Sequence, residues 1–289
     1  MSQTNGKNTV LTEPGKGKGL LEVFKRVYLL RLLVHKELRA RYRGSFLGML
    51  WSYVKPAIQF IVFYFALGVF LQMNRAIENY SIYLFSGIIL MNYFTEVFAN
   101  CTRSVIVNAP LVKKIYLPRE LFPVSSVIVG IVHFLPQLLV LVLGALLYGW
   151  FPTIHSMAYL ILGFVIITIF ALGLGLFFAA LNVLFRDAEN FVDIILMIAT
   201  WVCPVLYNWQ NVYNAASGGI IWKLYQLNPM SPAVELFHNV FWTSTLSVPT
   251  ENPPHMLIWS AIALVTSIII LIIGELVFRK LDKRFAQEL

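Results

Sequence analysis

Charge is what this sequence has least of. Asp, Glu, Lys and Arg make up 12% of its 289 residues, while 58% are hydrophobic. Soluble domains carry about 25% charged and 45–50% apolar residues, so a soluble globular enzyme is excluded. Cysteine is scarce too. Cys101 and Cys203 allow one disulfide at most, which excludes a small disulfide-built scaffold; both lie in or beside apolar stretches and read as small buried hydrophobes. The five histidines, at 35, 133, 155, 238 and 255, are scattered, and none pairs at the i, i+4 spacing of a helical metal site. No acid/base pair or nucleophile with its base stands out. A phosphate-binding loop would read GxxxxGK followed by Ser or Thr, and the nearest approach, GKGKGL at residues 15–20, lacks both the spacing and the hydroxyl. The chain is therefore expected not to hydrolyse ATP and to hold no catalytic, cofactor-binding or metal-binding residues. No signal-peptide pattern and no fixed-period repeat is visible.

What is present is a series of apolar runs. Crossing a bilayer takes about 20 apolar residues per helix, and six runs qualify: Pro56–Met73, Ile82–Ala99, Val124–Leu147, Met157–Leu181, Phe191–Leu206 and Leu257–Val277. Pro56 suits the first turn of its span, where a missing N–H has no helical partner to lose. The fold class predicted is all-α, a polytopic membrane protein with six transmembrane helices. Residues 1–19 are polar and rich in Gly, Lys and Thr, the composition of a disordered tail, and residues 20–289 form the membrane domain. Leu20, Val23, Phe24, Val27 and Tyr28 share one helical face opposite Glu22, Lys25 and Arg26, the pattern of an N-terminal amphipathic helix in a membrane interface.

Lys and Arg set the orientation. With a cytoplasmic N-terminus, all but Arg75 and Lys223 of the 22 fall in cytoplasmic segments, as the positive-inside rule requires. Both termini are then cytoplasmic, and a nucleic-acid partner is excluded because the cations track topology rather than forming a basic stripe. The long external segment Tyr207–Met256 carries Trp209, Tyr213, Trp222, Tyr225, Phe237, Phe241 and Trp242. So many aromatics predict re-entrant helices between spans five and six.

Ion-coupled transport would need several ionisable residues at mid-depth. His133 is the one plausible case and reads as a hydrogen bonder between packed helices; Glu96, Asp193 and Glu275 are expected near the cytoplasmic ends of their spans. Two cytoplasmic stretches are unusual. HKELRARYRGSFLGMLWSYVKP, residues 35–56, turns a dense basic run through Gly44 and Gly48 into span one. Arg39, Arg41 and Arg43 there either anchor the orientation or bind lipid phosphates, since guanidinium forks match phosphate oxygens; a helix would bring Arg39 and Arg43 to one side. NAPLVKKIYLPRELFPVSS, residues 108–126, predicts a short helix at Leu111–Tyr116 between prolines, offering Lys113, Lys114, Arg119 and Glu120 to a partner.

With NVLFRDAENF at residues 182–191, CPVLY and LNPMSP, these stretches resemble the membrane subunits of ABC-2 type exporters for polysaccharides and wall polymers, of the O-antigen, capsule and teichoic-acid kind. The resemblance covers the chain from about Leu20 onward. It implies a permease without enzymatic activity in a bacterial cytoplasmic (inner) membrane, pairing with a second copy of itself and with two copies of a separate ABC ATPase subunit that binds ATP and Mg. It also implies ATPase coupling through Lys113, Lys114, Arg119, Glu120, Arg186 and Asp187, with membrane lipid around the spans. A lipid-linked polymer would pass a channel flanked by aromatics, for which Phe60, Tyr64, Tyr93, Phe94, Trp201, Tyr207 and Trp209 are the candidates. An ABC-2 permease for a drug or a lipid is the alternative; a polytopic glycosyl- or acyltransferase is disfavoured by the missing acid/base groups.

Overall fold

The computed structural model describes residues 19–114, 117–248 and 250–289. The predicted tail therefore lies outside the described residues except for Gly19, as does Tyr116 at the end of the predicted short helix. Among the described residues the regular structure is entirely helical. After a turn at Leu20–Val23, α1 runs over Val27–Tyr42. Its apolar residues point two ways. Val23, Leu30 and Leu33 are buried against Phe122, Leu176, Phe278 and Phe285, while Phe24, Val27, Tyr28 and Leu32 remain exposed. The single apolar face expected from the sequence is thus divided between the bundle and the outside.

The chain leaves α1 at Arg43, whose backbone is extended, and turns through Gly44 (φ 74°) and Gly48 (φ 50°). Neither glycine would meet another atom with a Cβ, so the left-handed backbone is what requires glycine there. Helix α2, Trp51–Phe63, continues as a wider π-helical stretch through Phe70. It begins five residues before Pro56, earlier than expected, because a 3-10 turn at Gly48–Leu50 leads into it and the Ser45 hydroxyl accepts from the Gly48 amide at 3.1 Å.

The remaining helices are α3 (Tyr80–Val107), α4 (Ala109–Lys114), α5 (Leu121–Leu147), α6 (Ile154–Leu184), α7 (Ala188–Val202), α8 (Trp209–Ala216), α9 (Ile220–Leu227), α10 (Met230–Phe241) and α11 (Met256–Asp282). Five stretches are long and apolar enough to cross a membrane: residues 48–70, α3, α5, α6 and α11. Helix α7, expected as a further span, has 15 residues, about 22 Å of helix against a hydrocarbon core of about 30 Å. At one end Glu189 and Asp193 pair with Arg103 of α3 at 2.6 and 3.3 Å. Beyond its other end the Tyr83 hydroxyl lies 2.9 Å from the Pro204 carbonyl and 2.7 Å from that of Tyr207.

Helix α3 is the hub, packed by α5, α6, α7 and α10. Helix α6 starts on a capping box in which Thr153 and Ser156 satisfy each other's amides at 3.1 and 2.8 Å. It crosses α11 at backbone contact: a Cβ on Gly274 would lie 2.1 Å from the Gly173 carbonyl oxygen, the close approach that small residues permit between membrane helices. Helix α10 is buried along nearly its whole length among α3, α6 and α11, with the Trp150 indole donating to the Val240 carbonyl at 2.6 Å. The first and last described residues lie at one end of the bundle, where the Leu20 amide donates to Glu275 at 3.0 Å and Arg119 pairs with Asp282 at 2.7 Å.

Candidate functional site

Four helices enclose a cavity of about 710 Å³, and each contributes a polar stripe at helical spacing. The last turn of α1 brings Arg41 and Tyr42. Helix α2 brings Ser52, Lys55 and Gln59, α3 brings Asn92, Thr95, Glu96 and Asn100, and α5 brings His133 and Gln137. Trp51 supplies an aromatic wall. The volume falls within the range of small-molecule sites, about 300–1,000 Å³.

At the cavity's centre is a connected cluster. His133, 2% exposed, donates from Nδ1 to Glu96 Oε1 at 2.5 Å, and its Nε2 accepts from the Tyr42 hydroxyl at 2.7 Å. The Tyr42 hydroxyl also hydrogen-bonds the Ser52 hydroxyl at 2.8 Å. The Arg41 guanidinium pairs with the same Glu96 oxygen and lies 2.9 Å from His133 Nδ1. Glu96 therefore holds a guanidinium and an imidazole through one oxygen. Lys55 lines the same space and has no acidic partner among the described residues.

The sequence expects Glu96 near the cytoplasmic end of its span, and α3 continues past it to Val107, about 16 Å of helix. His133 is the hydrogen bonder between helices that the sequence predicts, with Glu96 and Arg41 beside its Nδ1 and the Tyr42 hydroxyl at its Nε2. The sequence carries the signal for this site: Asn92, Thr95, Glu96 and Asn100 fall on one stripe of α3, as do His133 and Gln137 on α5.

The three candidate phosphate-binding arginines separate. Arg41 enters the cavity, Arg39 is exposed on α1, and Arg43 lies past the helix end in extended backbone, so a helix does not align Arg39 with Arg43. The candidate coupling residues also divide. Lys113 and Lys114 on α4 and Arg186 and Asp187 in the turn before α7 are exposed. Arg119 turns inward to Asp282 and stands 5.7 Å from the centre of the Phe285 ring, and Glu120 is buried, which pushes its carboxyl above the usual range.

Of the candidate channel aromatics, Tyr93 and Phe94 are 1% exposed and pack against Phe164 and Phe170, so their faces are taken up within this chain. Trp209 is buried with Tyr213 and Trp222. Phe60 and Tyr64 stack at 5.8 Å and are partly exposed. Trp201 is exposed, and its carbonyl accepts from the Tyr207 hydroxyl at 2.9 Å.

The pattern shared by ABC-2 type transporters matches residues 28–242, a range that holds every cavity residue named above. The chain is 30% identical over 259 residues to the O-antigen export system permease protein RfbA of Klebsiella pneumoniae, covering 90% of this chain and 94% of that protein. It is 29% identical over 269 residues to a protein of the same name from Myxococcus xanthus, covering 93% and 98%. An all-helical membrane chain matched from α1 through α10, with kin over nine-tenths of its length, belongs to the ABC-2 type transporter family.

Proposed function

We propose that this chain is the membrane-spanning permease of an ATP-driven exporter that moves a lipid-linked polysaccharide of O-antigen type out across the bacterial inner membrane. The observation that carries the proposal is the kinship with O-antigen export permeases over 90% or more of the chain, together with a cavity whose cations suit a phosphate and whose amides and Trp51 suit a sugar. The permease works as two copies with two ABC ATPase subunits, which bind ATP and Mg and meet the exposed Lys113, Lys114, Arg186 and Asp187. Teichoic-acid and galactan polymers share the chemistry of the cargo.

Six spans and cytoplasmic termini fit this reading. The contacts of Arg103 and Tyr83 with the two ends of the α7 segment are about 30 Å apart along α3. This supports counting α7 with its CPVLY continuation as a traverse, and the burial of α10 supports a re-entrant external segment. Arg41 and the outlying Arg39 and Arg43 receive the lipid phosphate, and the open faces of Phe60, Tyr64, Trp201 and Tyr207 flank the polymer's path.

The test is complementation. The chain is co-expressed with an ABC ATPase subunit of an O-antigen exporter in a strain lacking its own O-antigen permease and supplied with candidate polymer pathways. Surface polymer supports the proposal. Internal accumulation of every polymer, with restored efflux of a drug or a simple lipid, transfers the chain to the alternative ABC-2 class.

A further inference from the structure

The exporter reading brings a phosphate to the cavity, yet the carboxylate of Glu96 already occupies the position where an anion would sit. It engages both Arg41 and His133 through Oε1. The two partners differ in freedom. His133 has a 3% exposed side chain and is fixed from behind by Tyr42 and Ser52, whereas Arg41 and Glu96 are 36% and 22% exposed and face the cavity. With Glu96 in place the three formal charges of the cavity, Arg41, Lys55 and Glu96, sum to one excess positive charge. Gln137 adds a second feature: its Oε1 is buried without a hydrogen-bond partner among the described residues, and the side chain lines the cavity. An amide oxygen in that state waits for a donor, and a phosphodiester offers none. A sugar hydroxyl does.

We infer that Glu96 is a built-in stand-in for a glycosyl phosphate, holding Arg41 and His133 in register until the phosphoryl group enters, takes Arg41 and displaces the carboxylate. This deepens the exporter reading and rests on it for the lipid origin of the phosphate. The ligand's phosphoryl oxygens would meet the Arg41 fork and the Lys55 ammonium, which are charge-assisted contacts. Its first sugar would meet Gln137, Asn92 and Trp51. A self-occupied site taxes affinity by the fraction of time it stands open. If the carboxylate leaves it open about a tenth of the time, removing the stand-in tightens binding about tenfold.

The experiment uses the full chain in detergent and a radiolabelled short-chain polyprenyl phosphoryl hexose, with inorganic phosphate and the phosphate-free polyprenyl hexoside as competitors. Glu96→Gln is expected to bind the probe about tenfold tighter than the parent. A general field effect of removing a negative charge would do the same, so Glu96→Asp is the discriminating variant. It keeps the charge but shortens the reach to Arg41 and His133, and it should also tighten binding. Arg41→Ala should weaken binding at least tenfold and abolish the gain from Glu96→Gln in the double variant. Competition by inorganic phosphate as strong as by the unlabelled probe assigns the same site to free phosphate; competition by the hexoside alone overturns the phosphoryl assignment. Unchanged or weaker binding in Glu96→Asp overturns the inference, including where Glu96→Gln fails to fold. Export restored in the complementation assay alongside that result leaves the exporter reading standing and removes only the stand-in.

Discussion

Arg119 is the residue whose loss should be read most directly. It ties the loop after α4 to the end of α11, pairing with Asp282 at 2.7 Å, with both side chains mostly buried at 18% and 16% exposure, and it lies over the Phe285 ring. Exposed ion pairs are worth about 0.2–1 kcal/mol, and stripping one partner from a fully buried pair costs about 3–5 kcal/mol. At this exposure Arg119→Ala should cost about 1–3 kcal/mol. The contact holds a chain end, so the cost falls on local opening of the turn Phe285–Glu288 and not on unfolding of the bundle. When opening is fast relative to cleavage, proteolysis tracks the open population. Trypsin should then cut after Lys283 and Arg284 about 5- to 150-fold faster in the variant, measured as loss of the C-terminal residues by intact mass. Lys223→Ala, an exposed change on α9, should leave that rate alone. Equal rates in Arg119→Ala and the parent would refute the tie.

Three further outcomes are expected. Gly274→Ala puts a Cβ 2.1 Å from the Gly173 carbonyl oxygen, so α6 and α11 must part by about 1 Å, and overpacking of this kind costs about 1–3 kcal/mol; an unfolding midpoint in detergent equal to the parent's contradicts the close crossing. Glu37, packed toward Ser125 and Ser126, has its carboxyl raised by burial above the usual 4.5. Its ionised form is therefore the costly one in the folded state: the favourable contribution is present below about 4.5 and lost as pH rises through the raised folded value. Glu37→Gln should accordingly match or exceed the parent's midpoint at pH 8 with the difference closing at acid pH, and a variant less stable at pH 8 speaks against it. Reporter fusions after Asn79 and Thr250 should read external and one after Pro110 internal, and an internal signal at Thr250 rejects the orientation.

How far the sequence carried the reading depended on the length of the pattern. α3, α5, α6 and α11 were visible because long apolar runs have few alternatives, and their ends moved outward by up to eight residues, as at Val107, where helix continues past the apolar stretch as a polar extension. The start of α6 is set by the Thr153 cap, and that of α2 by a 3-10 turn whose Gly48 amide donates to Ser45, which composition does not reveal. Helix α7 stops at Val202 because Cys203 turns extended and Tyr83, about 120 residues away in sequence, binds the carbonyls that follow. Tertiary partners at that distance leave no local trace. The inward turn of Arg119 and Glu120 was hidden for the same reason: a charged pair in a loop reads as exposed until Asp282 and Phe285 are brought beside it.

The polar cavity sharpens the physical argument for transport. A chain with so little charge holds Arg41, Glu96 and His133 together in one cavity, His133 buried and Arg41 and Glu96 36% and 22% exposed, and an ion cluster of this kind is weak evidence for stability because well-packed apolar residues often serve as well or better. Replacing all three, as Arg41→Met, Glu96→Leu and His133→Phe, should therefore leave the unfolding midpoint unchanged or higher. Replacing His133 alone leaves the Arg41–Glu96 pair without the imidazole that donates to it and should lower the midpoint. If the cluster is kept for its cargo, the stable triple variant exports nothing in the complementation assay. A triple variant that is less stable than the His133→Phe single change, yet exports as well as the parent, would assign the cluster to the fold and take the cavity out of the mechanism.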